Sequence, residues 1–377
     1  MTEPIQCQYK PWTVSPPGYS LADILEERQI TQHDLAERMG MPSRLIREII
    51  SGKATIVDDT AQRLERVLGT PADYWLRREA RYRENLATFR DEKRLERDAY
   101  WLQELPIGDM TTYGWIAPTS GDAATMRAAL DFFAVPHVFA WRTECEQVAA
   151  DFRASHTENE SPGAIAAWLR QGEIEAEKLA CAAFDANKLA ETLDVLRTLT
   201  LEPDPARFVP LMQQACARCG VAVVFVPSPK GCAARGATRW IDSDKAVVQL
   251  SLGFESNDQL WFTIFHELGH IVLPLLRVDL SEANVATVAM IETSAVEARA
   301  DEFARDRLIP PLEATRLPEV RHSADQVKAL AQELGIAPGI VVGRLQHDGH
   351  IPQNSMNELK VFYARHQWNT SANAALS

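Results

Sequence analysis

The sequence predicts a mainly α protein with a small α+β domain. Three observations predict it. From Ser20 to about Arg97 the chain reads as short amphipathic helices with abrupt stops. Residues 98–200 keep a helical pattern, broken near Pro106, Pro118-Thr119-Ser120-Gly121, Pro136 and Ser161-Pro162-Gly163. After residue 200 the period changes, and apolar runs of strand length precede two strong helical patterns.

The chain has 377 residues, room for two or three domains at roughly 100–200 residues each. The boundaries read as an extended arm over 1–17, a helical domain with a helical connector over 18–97, a helical middle region over 98–200, a mixed domain over 201–353 and a tail over 354–377. No apolar run approaches the roughly 18 residues of a membrane span, and the start lacks the basic and apolar regions of a signal peptide. A cytoplasmic protein with no membrane partner is expected. Six cysteines are too few for a disulfide scaffold in a chain this long. A net charge of −13 argues against a protein that coats nucleic acid non-specifically. Residues 1–97 carry 16 Lys+Arg and 16 Asp+Glu, so the whole excess lies in 98–377. A small DNA-reading module at the N-terminal end remains compatible with that balance.

The elements follow in order. Leu21, Ile24 and Leu25 make one apolar stripe, and Leu35, Ala36 and Met39 a second. Thr31 suits the N-cap of the second helix, with Asp34 three residues on in a capping-box arrangement. Gly40 supplies a turn, and Pro42-Ser43 opens a third helix that runs through Ile49-Ile50 to a stop at Ser51-Gly52. A fourth runs from Asp58 or Asp59 to Leu68-Gly69, and the charge-rich stretch 76–97 reads as a solvated helical connector. Further on, Val221–Val226, Ala233–Ile241 and Lys245–Ser251 are strands, with Lys245–Ser251 read as a sheet edge. Helices over Asn257–Leu273 and Ala295–Leu308 come next, then a helical pair over 323–346.

The most informative stretch is His266-Glu267-Leu268-Gly269-His270, inside the apolar helical run beginning at Trp261. Histidines four apart project from one helix face about one turn apart. Two neutral imidazoles there can grip Zn²⁺, leaving positions for a third ligand and a water. Glu267 sits beside the metal, where it can take a proton from that water. By composition alone this pattern appears in about one chain of this length in a hundred. A third ligand is expected downstream. Glu297 is the candidate, although Ser294-x-x-Glu297 also reads as a capping box, and Glu292 and Glu302 are alternatives. Asp301, one turn beyond Glu297, can orient a ligand histidine by accepting its second ring proton. Arg239, His347 and His350 are weaker candidates for stabilising a developing oxyanion.

Residues 201–353 resemble the ImmA/IrrE-type zinc metallopeptidases. The carriers are the His266 to His270 motif and a later segment of Glu297, Ala300, Asp301, Phe303-Ala304 and Leu308-Ile309-Pro310. Asp301 stands where the family usually has Asn. The resemblance implies a zincin-like fold with a three-stranded sheet, zinc held by His266, His270 and Glu297, and Glu267 as general base.

Residues 20–69 resemble the XRE/HigA-type helix-turn-helix class through Thr31-Gln32, Leu35-Ala36, Gly40-Met41, Ile49, Ser51-Gly52 and Ala61 to Leu68-Gly69. Ser43, Arg44 and Arg47 face outward on the third helix, where the arginines reach guanine edges or phosphates; Gln32 and Lys53 meet the backbone. Such modules use five helices and bind half-sites as dimers, so a homodimer on a double-stranded operator is expected. Together the resemblances imply a bacterial transcriptional regulator carrying a zinc endopeptidase that acts on a protein partner, in stress, phage-defence or toxin–antitoxin control. Two alternatives stand beside it: a non-proteolytic repressor or antitoxin whose zinc domain is structural or senses a ligand, and a protease whose first domain recruits substrate rather than DNA. Cys216-x-x-Cys219 reads as structural, and Trp101, Trp115, Trp141 and Trp168 as core.

Overall fold

The computed structural model describes residues 15–146, 161–273 and 294–363. Residues 1–14 of the expected arm, Glu292 and the stretch beyond 363 lie outside the described residues. The chain divides into two compact units, one up to Ala99 and one from Tyr100. It is mainly α with a small α+β part. No helix among the described residues is long and apolar enough to cross a membrane.

The first unit contains α1 (Pro17–Glu27), α2 (Gln32–Met39), α3 (Ser43–Ile50), α4 (Asp58–Leu68) and α5 (Ala72–Asp98). Pro17, expected to end the arm, instead opens α1, a place where a proline loses no hydrogen bond. Thr31 and Asp34 form a reciprocal capping box at the start of α2: the Asp34 amide donates to Thr31 Oγ1, and the Thr31 amide donates to Asp34 Oδ2. Gly40 ends that helix at φ 62°, a left-handed conformation that a side chain resists. Leu21, Leu35, Ile46, Ile49, Leu64 and Trp75 fill the core. The stretch from residue 76 is helical and exposed or half-buried over most of its length, as expected of a solvated connector, with Glu79 and Leu95 its buried residues. The helix starts at Ala72, and its first turns bury Trp75 and Glu79 as the fifth wall of the unit.

The second unit begins with α6 (Ile107–Thr112), α7 (Asp122–Phe132) and α8 (Val138–Trp141). Here the Trp141 ring meets Trp101 at 5.2 Å and Phe133 at 5.7 Å, edge to face. Next come α9 (Pro162–Lys178), α10 (Ala186–Leu199) and α11 (Pro205–Ala217), then β1 (Val221–Phe225), β2 (Gly236–Trp240) and β3 (Ala246–Leu250). The strand order is β1-β3-β2. β3 runs parallel to β1, with Val221 opposite Ala246, and antiparallel to β2, with Thr238 opposite Val248. The expectation that Lys245–Ser251 forms a sheet edge is therefore corrected. β3 is the central strand, buried along its whole length, and β2 is an edge. A strand buried on both faces reads as a continuous apolar run, and Ala246-Val247-Val248 does so.

Beyond the sheet lie α12 (Asn257–Val272), α13 (Ser294–Leu308), two single turns, α14 (Pro311–Ala314) and α15 (Leu317–Val320), then α16 (Ala324–Leu334) and α17 (Pro338–His347). Two expected boundaries dissolve. Leu189, Leu193 and Leu196 of α10 share one core with Val223, Val248 and Phe265, so no domain break falls at residue 200. Residues 354–363 pack as well. The Asn257 amide donates to Val361 O at 2.9 Å, the Tyr363 amide donates to Glu255 O at 2.9 Å, and Lys360 meets Asp258 at 2.7 Å.

Candidate functional site

The helix α12 is apolar on most of its circumference. Leu260, Trp261, Ile264, Phe265 and Leu268 are fully buried, each such side chain contributing about 1.5–3 kcal/mol. That burial fixes the direction of the remaining side chains. His266 Nε2 lies 3.1 Å from His270 Nε2 and 3.1 Å from Glu297 Oε2, with His270 Nε2 3.4 Å from Glu297 Oε1. Glu297 comes from the first turn of α13, which packs against α12; Gly269 allows that approach, since a Cβ there would press on the Phe303 ring.

These three side chains are the His, Cys, Asp or Glu group among the described residues able to hold one ion. Two ring nitrogens this close must share either a proton or a cation. For a tetrahedral ion with bonds of about 2.0–2.1 Å, neighbouring donors sit about 3.3 Å apart. The observed separations match that spacing, and two imidazoles with one carboxylate form a donor set suited to zinc with one position left open. Glu302, by contrast, is exposed and outside the group.

Asp301 accepts the ring proton of His266 at Nδ1, 2.9 Å away, which leaves Nε2 facing Glu297 and His270. Burial alone lowers the pKa of His266. The hydrogen bonds with Asp301 and Glu297, together with the charge of Glu267, outweigh it and lift the imidazole to about 10. Asp301 is held below the usual carboxylate range, chiefly by the same hydrogen bond.

Glu267 is buried and turned toward β2. The Thr238 hydroxyl lies 2.8 Å from Glu267 Oε2 and 2.9 Å from its carbonyl oxygen, so it fixes the carboxylate. Gly236 gives that carboxylate its space; a Cβ there would collide with Oε1. Thr238 and Gly236 were not singled out in the sequence. The strand holding them is legible, but its placement against α12 is a long-range fact. Arg239 is not an oxyanion donor: it is half-buried, paired with Glu173 at 2.7 Å and bonded to the Leu169 carbonyl. His350 closes the turn after α17 through its backbone, whereas exposed His347 lies near enough to act on the charge of Asp301. Cys216 and Cys219 are buried free thiols, Cys216 pushed far up by desolvation, in keeping with a structural reading.

In the first unit, Gln32 opens α2 and is exposed, as are Arg44 and Arg47 on α3 and Lys53 just beyond it. Ile46 and Ile49 anchor α3 from its opposite face. Arg44 is engaged by Glu48 at 2.8 Å, one turn along. Ser43 Oγ lies 3.2 Å from His33 Nδ1, a link between the starts of α2 and α3 that the sequence did not reveal.

The family profile described as Helix-turn-helix matches residues 21–75. This stretch is a helix-turn-helix domain. Among solved structures, an addiction module antidote protein of a HigA family from Coxiella burnetii is 29% identical over 22% of this chain and 90% of its own, with a TM-score of 0.20. No curated protein matches the chain. The match ends at Trp75, a buried residue in the core of the first unit.

Proposed function

We propose that the chain is a DNA-binding transcriptional regulator that also hydrolyses a peptide bond in a protein partner, with zinc as its metal. The observation that carries the second half is the convergence of His266, His270 and Glu297 beside Glu267. The helix-turn-helix match and the exposed Arg44 and Arg47 support the first half.

A bound zinc, held by His266, His270 and Glu297, supplies Lewis acidity that acidifies a water and polarises the scissile carbonyl. The chain's own residues do the rest. Asp301 keeps the His266 proton on Nδ1, so Nε2 offers its lone pair. Thr238 holds the Glu267 carboxylate still while it takes the water proton. As the water oxygen bonds to the carbonyl carbon and the C–N bond breaks, Glu267 returns that proton to the leaving amine. The helix-turn-helix domain docks α3 on an operator, as half of a dimer, and the biological setting is stress, phage-defence or toxin–antitoxin control.

The test is metal analysis of the purified chain with a proteolysis screen against products of neighbouring genes. Glu267→Gln lowers cleavage by about 10²–10⁴-fold, the scale of general-base catalysis, and leaves zinc content and operator binding in place. If the wild type and E267Q cleave nothing and regulate alike, the hydrolytic half fails and the non-proteolytic regulator is the better account.

A further inference from the structure

A cavity of about 180 Å³ lies in the second unit, next to the candidate metal centre. Its floor is apolar, formed by Phe262, Leu308 and Ile340, while Arg305 and Arg344 bring positive charge to a lining that also holds Asp258 and His347. Helix geometry ties it to the metal ligands. Phe262 precedes His266 by one turn of α12, their rings 6.3 Å apart. Arg305 follows Asp301, the partner of His266, by one turn of α13. One turn rises about 5.4 Å, which is less than two residues of extended peptide at about 3.3 Å each.

The edge strand β2 leads from one place to the other. Gly236 and Thr238 lie against Glu267, and Arg235, just before the strand, donates from Nη1 to Gln259 in the cavity wall at 3.0 Å. β2 pairs with β3 on one side and, among the described residues, with no strand on the other, the side to which an extended peptide can add. A peptide laid there passes from the metal ligands toward the cavity.

The charges select what enters. The acidic groups around the cavity each meet a base: Asp258 meets Lys360 through Oδ2 at 2.7 Å, although its buried Oδ1 finds no hydrogen-bond partner, Asp348 meets Arg344 at 2.7 Å, and Asp301 meets His266. Among the described residues, the buried Nε of Arg305 and Nη1 of Arg344 find no hydrogen-bond partner. Arg305 lines the cavity, and an arginine guanidinium at a pocket matches a carboxylate, which accepts its hydrogen bonds in pairs. In a chain whose net charge is −13, a cationic cavity beside the scissile position is a local departure.

We propose that this cavity is the specificity pocket of the peptidase and takes the carboxylate side chain of a Glu or Asp within two residues of the scissile bond, an inference that rests on the hydrolytic reading above. The apolar floor holds the methylene stem of that side chain, and Arg305 meets its charge.

Two peptide pools, identical except for Glu or Gln at the positions flanking each bond, are offered to the zinc-loaded full chain, and cleavage is read by mass spectrometry. The same peptides are titrated against zinc-loaded E267Q by fluorescence anisotropy. The Glu peptides are favoured about tenfold in both assays. Arg305→Gln reduces that preference to within about twofold, and Arg305→Lys keeps it, with zinc content reporting that both variants fold. Cleavage without a Glu preference overturns the pocket and leaves hydrolysis standing. Glu-selective binding without cleavage in either pool overturns hydrolysis while the cavity retains its anion selectivity. Equal binding of both pools to E267Q, with no cleavage, overturns both.

Discussion

The helix-turn-helix unit and the unit that holds His266, His270 and Glu297 assemble their polar groups in opposite ways. In the first, Gln32, Ser43, Arg44, Arg47 and Lys53 lie along one short stretch and are presented outward by a core of Leu35, Ile46, Ile49 and Leu64 behind them. In the second, the groups that meet come from distant places and run from buried His270 to exposed Asp301: His266 and His270 from α12, Glu297 and Asp301 from α13, Thr238 from β2. A DNA reader needs exposed, mobile cations on a rigid helix. A hydrolytic site needs fixed groups shielded from water. The difference teaches that loss of one function should leave the other nearly untouched, because the two sets of residues share no core.

The sharpest way to break that independence is at α3. Arg44→Ala with Arg47→Ala should cost about 1–3 kcal/mol of operator binding for each lost base contact, measured by fluorescence anisotropy over a salt series. Zinc content and cleavage should not change; a parallel loss of zinc would join the units after all. Next in size, Asp301→Ala should lower zinc affinity by about 10–100-fold, the usual effect of removing the partner of a ligand histidine, as read by competition with a chromophoric chelator.

A pH series separates the units by sign. In metal-free protein, His266 titrates at about 10, above its ordinary value of about 6.5. Its stabilising contribution is therefore complete below about pH 6.5 and is lost as pH rises through about 10. Zinc binds the deprotonated ring, so in loaded protein its contribution grows with pH over the same window. Denaturant midpoints with and without chelator should thus diverge as pH rises, whereas the helix-turn-helix transition should not respond to chelator. The smallest effect is expected at the cap: Thr31→Ala should cost the first unit about 1 kcal/mol, a shift of about 4–8 °C in its melting midpoint by circular dichroism, with the zinc unit unmoved.

The same contrast governs how much of the molecule the sequence reveals. The helix-turn-helix boundaries were legible because their signals are local: Thr31 and Asp34 start α2, Gly40 ends it, and Pro42-Ser43 opens α3. The histidine pair was legible for the same reason. Glu297 was harder, since Ser294-x-x-Glu297 offers a second physical explanation that spacing cannot separate from a ligand role. The structure turns its carboxylate to both imidazoles. The roles of Thr238 and Gly236, the central position of β3 and the burial of Trp75 depend on long-range packing. Only β3 left a trace, in the apolar run Ala246-Val247-Val248. The middle helices, expected to stand apart, hold the sheet instead: Lys245 Nζ donates to the last carbonyls of α9, at Ala176 and Leu179.

The backbone around residues 361–363 carries a practical lesson for dissecting the protein. Ser256 bridges Phe362, and the side chain of Asn257 accepts from the Val361 amide, so the head of the histidine helix is buckled in place by a strap arriving about a hundred residues later. A fragment trimmed at 353 would keep His266, His270 and Glu297 yet leave that buckle undone, and an inactive trimmed fragment would say nothing against hydrolysis by the longer chain.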